Sequence, residues 1–122
     1  MLSWLLLNWR RNIILEKYNI IMMEDATEDL EDIYIYISIE LKSTTYAENQ
    51  INRIKERILE LKVFPERYQI IDWEIEGRKD IRRMPVDKYN VLYIVQSNQV
   101  RVFNVIHSTS NIENKVKKIL NK

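Results

Sequence analysis

Cysteine is absent from the 122 residues, histidine and glycine occur once each, and there are two prolines. Without a thiol there is no disulfide framework, no thiolate metal site and no cysteine nucleophile. One imidazole with no cysteine falls short of a zinc site. A single glycine excludes glycine-rich phosphate cradles and dinucleotide fingerprints, which need several. Scarce Gly and Pro also argue against long loops. No apolar run reaches the roughly 20 residues that span a bilayer. The most apolar block, Leu2, Trp4 to Leu7 and Trp9, is followed by Arg10 and Arg11. A signal peptide would place its bases first and end on small residues.

Charge is present in quantity but unevenly. The net charge is +1, yet Glu24 to Leu41 holds seven acids and no base, while Arg78 to Lys122 holds ten bases against three acids. A basic half on a near-neutral chain implies a localised anionic partner, such as RNA, DNA or an acidic protein, or else a solvated basic surface.

The length suits one core. Residues 1–16 read as an apolar extension, either an extra helix or sequence upstream of a true start near Leu15; residues 17–122 read as the domain. Lys17 to Met23 predicts a first strand. A helix follows, with Asp25 as N-cap and Ala26, Leu30, Ile33, Ile37 and Leu41 at helical spacing. Lys42 to Thr44 breaks it. Thr45 to Glu48 fits a capping box, and Ala47, Ile51, Ile54, Ile58 and Leu61 form a second stripe. The short break predicts an antiparallel helical hairpin, stopped by Phe64-Pro65.

After an irregular stretch and a turn at Gly77, a strand runs from about Lys79 to Val86. Arg82 to Ser108 has the pattern of a β-hairpin, broken at Gln96 to Gln99. Val91 to Val95 is apolar throughout, as in a central strand covered on both faces. In the next strand Val100, Val102 and Asn104 alternate with Arg101, Phe103 and Val105. Ile112, Val116, Ile119 and Leu120, with lysines between, predict a short C-terminal helix. The expected class is α+β: a helical hairpin on one face of a small, mainly antiparallel sheet, in the order β-α-α-β-β-β.

Tyr18-Asn-Ile-Ile, Ala26-x-x-Asp29-Leu30-x-x-Ile33-x-x-Tyr36-Ile37, Leu61-x-x-Phe64-Pro65, Ile81-Arg82-x-Met84-Pro85-Val86 and Tyr89-x-Val91-x-Tyr93 occur in that order. This set resembles the RelE/ParE superfamily of toxins from bacterial type II toxin–antitoxin systems, over roughly Tyr18 to Ile112. The resemblance implies a cytoplasmic toxin, no cofactor or metal, no membrane association, and a cognate antitoxin held in a hetero-oligomeric complex. It implies one of two activities: poisoning of DNA gyrase, as in the ParE-like branch, or cleavage of mRNA on the ribosome, as in the RelE-like branch. A degenerate member that only binds antitoxin is a third reading.

Metal-free RNA cleavage needs a base, a cation on the phosphorane and an acid. The candidates are His107, Arg83, Arg82 and Lys88. The central-strand position that is often Arg in the nuclease branch is Asn90, and His107 is followed by Ser108-Thr109-Ser110 with no arginine. The site is therefore incomplete, which favours inhibition by binding. Arg82, Arg83, Tyr89, Tyr93 and Arg101 are the expected target or antitoxin contacts.

Overall fold

The computed structural model describes residues 18–72 and 77–109. Strand β1 (Asn19–Met22) leads directly into helix α1 (Glu24–Glu40) and then α2 (Thr44–Leu59). Two 3-10 turns, Glu60–Lys62 and Pro65–Arg67, carry the chain toward β2 (Arg82–Val86), β3 (Tyr89–Gln96) and β4 (Gln99–His107). The strand order is β1-β4-β3-β2. β2, β3 and β4 are antiparallel neighbours, and β1 joins the outer side of β4 in parallel. The expected α+β arrangement is the observed one.

The stripes form helices because their apolar residues share one side. Ala26, Leu30 and Ile37 on α1 are buried, as are Ala47, Ile51, Ile54 and Ile58 on α2. Ala26, Leu30, Ile51, Ile54 and Ile58 share one core with Met84, Val86, Val91, Tyr93, Val100 and Val102 on one face of the sheet. A smaller cluster, Ile71, Ile81, Leu92, Ile94 and Ile106, lies on the other face. Burial of β3 on both faces explains its unbroken apolar run.

The helix starts differ from expectation. Met23, not Asp25, occupies the cap of α1; it is extended and makes no side-chain cap bond. Asp25 lies within the first turn, where a negative charge suits the helix dipole. The cap of α2 is Ser43, whose Oγ accepts from Tyr46 N at 3.2 Å, so Thr45 and Glu48 lie inside the helix. Lys42, at φ 50°, reverses the chain and leaves Ser43 extended. Leu41 falls just past the end of α1 and is exposed.

Two strand expectations also change. β2 begins at Arg82 rather than Lys79. Its outer edge pairs with the preceding chain: Ile71 N donates to Ile81 O and Arg83 N to Gln69 O. In β4 the alternation breaks. Leu92 faces Asn104 but Tyr93 faces Val102, so Phe103 is an extra residue. This bulge moves Val105 to the helix side with Val100 and Val102, and Ile106 to the other side. The apolar extension at residues 1–16 and the helix expected from Asn111 lie outside the described residues.

Candidate functional site

Sheet register sorts the candidate residues. Arg82 pairs with Tyr93 and Arg83 with Leu92, so the two arginines face opposite sides. Arg82 shares the helix side, and its Nη1 donates to the carbonyls of Glu66 (2.9 Å) and Tyr68 (2.7 Å). Tyr93 OH donates to Pro65 O at 2.6 Å. Both side chains therefore pin the 65–68 turn. Burial pushes the Tyr93 phenol far above its ordinary value, so it stays protonated and donating.

Arg83 and Arg101 share the face away from the helices. Arg101 pairs with Ile94 as Arg83 pairs with Leu92. Each is half-buried, and Arg101 Nε donates to Gln99 Oε1 at 3.3 Å. Between them lie Leu92 and Ile94, with Phe103 packed against the same cluster. Leu92 and Ile94 are each 1% exposed, so this face presents the two guanidinium groups and the half-buried Phe103 over a closed apolar layer. Asn90, on this face beside Pro85 and Ile106, is 6% exposed.

His107 is on the helix side, opposite Tyr89, and the two rings meet edge-on with centroids 5.4 Å apart. Its Nδ1 accepts from Thr109 N (3.2 Å) and lies 2.7 Å from Thr109 Oγ1. An accepting Nδ1 carries no hydrogen, so the neutral ring holds its proton on Nε2. Burial, and then the nearby Tyr36 phenol, push Tyr89 above its ordinary value. Lys88 is exposed in the β2–β3 turn, and its carbonyl accepts from Ser108 N at 2.7 Å. Lys88, Tyr89 and His107 thus meet at one end of the sheet. Arg83 sits on the opposite face, and Arg82 is committed to the 65–68 turn.

One cluster escaped the sequence reading. Arg57 Nη2 donates to Tyr68 OH at 2.9 Å, Arg67 lies over the Tyr68 ring at 5.3 Å, and Arg82 holds the Tyr68 carbonyl. Burial pushes the Tyr68 phenol up, but hydrogen bonds from Arg57 and Arg67, with their charge, outweigh it and hold the phenol below its ordinary value. The only hint was the clustering of Arg57, Arg67 and Tyr68 around the Phe64-Pro65 stop. Among the described residues, no group of three or more His, Asp or Glu is placed to hold a metal ion. No described helix is long and apolar enough to cross a membrane.

Comparison with known proteins bears on the same span. The family model described as "ParE toxin of type II toxin-antitoxin system, parDE" matches residues 20–112. Among solved structures, the chain is similar to one from the chromosomal ParDE TA system of P. aeruginosa, with a TM-score of 0.63 and 15% identity. That match covers 75% of this chain and 97% of the other. No curated protein matches.

Proposed function

Because this chain belongs to the ParE toxin family of type II toxin–antitoxin systems, we propose that it arrests growth by binding an essential target, with DNA gyrase the leading one, and that a cognate antitoxin neutralises it. The observation that carries this reading is the scattering of the nuclease candidates. Cleaving a phosphodiester without a metal requires base, cation and acid around one phosphate. Here Arg82 is bound to two main-chain carbonyls, His107 is packed on Tyr89, and Arg83 lies across the sheet. The surface better suited to a macromolecule is the face bearing Arg83 and Arg101 around Leu92, Ile94 and Phe103. The half-buried Phe103 would add apolar contact there, and the guanidinium groups would orient an anionic partner.

The test compares two assays on the full chain. Gyrase supercoiling should fall with added protein, and ribosome-bound mRNA should stay intact. Cleaved mRNA with unaffected gyrase would replace this reading with the nuclease one. No effect in either assay, with antitoxin binding retained, would mark a degenerate member.

A further inference from the structure

Helix α1 carries a surface that no described residue covers. Ile35, Tyr36 and Ile39 are 55%, 61% and 67% exposed. On the same outward side, Glu24, Asp25, Glu28, Glu31 and Asp32 are exposed, and none forms an ion pair with a described residue. The last turn of α1 holds no base, although a helix C-terminus attracts cations. Exposed isoleucine and tyrosine, beside acids with no ion-pair partner among the described residues, complement a segment that is both apolar and basic.

The chain contains such a segment. Residues 110–122 carry Ile112, Val116, Ile119 and Leu120 at helical spacing, together with Lys115, Lys117, Lys118 and Lys122 against a single acid, Glu113. The segment also starts in the right place. Thr109 is bonded to the His107 ring, that ring rests on Tyr89, and the Tyr89 phenol lies within electrostatic reach of Tyr36. Thr109, the last described residue, thus lies toward the uncovered part of α1. Thirteen residues in a helix would span roughly 20 Å, about three quarters of the roughly 25 Å of the 17-residue α1.

We propose that residues 110–122 dock along the outer face of α1, with their apolar residues on Ile35, Tyr36 and Ile39 and their lysines toward Glu28 and Asp32. This holds whichever target the toxin acts on.

The absence of cysteine makes the test direct. In the full chain, Ile39→Cys with Val116→Cys should form an intramolecular disulfide under mild oxidation. The rate should be at least tenfold that of Asn98→Cys with Val116→Cys, since Asn98 lies in the turn at the far end of β4. High salt, or Glu28→Lys with Asp32→Lys, should slow the first pair. Equal rates in the two pairs would overturn the proposal, as would a rate unmoved by salt and by the charge reversals. Disulfides formed only between molecules would also overturn it, and would assign the α1 face to a second copy.

Discussion

Asp29 and Val105, 76 residues apart, are joined by a 2.9 Å hydrogen bond from the strand amide to the Asp29 carboxylate. The same oxygen accepts from Asn104 Nδ2 at 3.1 Å. An acid on α1 thus holds the backbone where β4 gains its extra residue. Asp29→Ala would leave the Val105 N–H unpaired at the bulge, costing about 1–3 kcal/mol. Urea unfolding should show a lower midpoint, and Asp29→Asn should recover part of the loss, because its amide oxygen can still accept.

The Tyr93–Pro65 bond permits a cleaner subtraction. Tyr93→Phe removes one buried hydroxyl and leaves the ring in place. A loss of about 1 kcal/mol is expected, read as a lower midpoint with an unchanged denaturant slope. A much larger loss would mean that the 65–68 turn had released as a whole.

The tyrosines should titrate in separate classes. Tyr68 is held below its ordinary phenol value, whereas burial raises Tyr89 and Tyr93. As pH rises from the folded Tyr68 value toward about 10, the unfolded chain keeps a proton that the folded chain has released, so Tyr68 adds stability. Above about 10 the sign reverses for Tyr89 and Tyr93, which release their protons later in the folded state than in the unfolded one. Phenolate absorbance should show one early tyrosine, lost in Tyr68→Phe, and a late class in which Tyr93 is the last to ionise.

On the acid side, the hydrogen bond from Arg53 and then that from Gln50 hold Asp87 below its usual carboxylate value. Its contribution is fully present above the unfolded carboxylate pKa and is lost as pH falls through the folded one. The pair is exposed, so the effect is small. Arg53→Met should lower stability slightly near neutrality and leave it unchanged at strongly acid pH, which flattens the acid limb of a stability–pH curve.

Function should follow the sheet face. Arg83→Glu and Arg101→Glu should each weaken target or antitoxin binding at least tenfold, with melting temperature nearly unchanged. His107→Ala should remain toxic in cells. Loss of toxicity in His107→Ala, with folding intact, would restore the nuclease reading.

The elements that repeat were readable in advance. Ile51, Ile54 and Ile58 fix α2 through spacing alone, and the apolar run from Val91 marks the middle strand. The bulge was not readable, because Phe103, Asn104 and Val105 alternate acceptably in either register; only Asp29, far off in sequence, decides between them. The Ser43 cap was obscured by the better-looking Thr45 to Glu48 pattern, since a capping box does not reveal where Lys42 turns the chain. The candidate residues could be named but not sorted. Neighbours on a strand must face opposite ways, yet it takes Tyr68 and Glu66 to show that Arg82 is the one held by the fold.

The parallel seam between β1 and β4 also bears on when the protein can act. Ile20 pairs with Val100, so the first strand made waits for the last described one before its edge is closed. Such long-range pairing is slow to form, because loop closure must come before any contact rewards it. During synthesis the helical hairpin can form early, but the sheet stays open until β4 has left the ribosome. The sheet face that bears Arg83 and Arg101 is therefore complete only after β4 has been made.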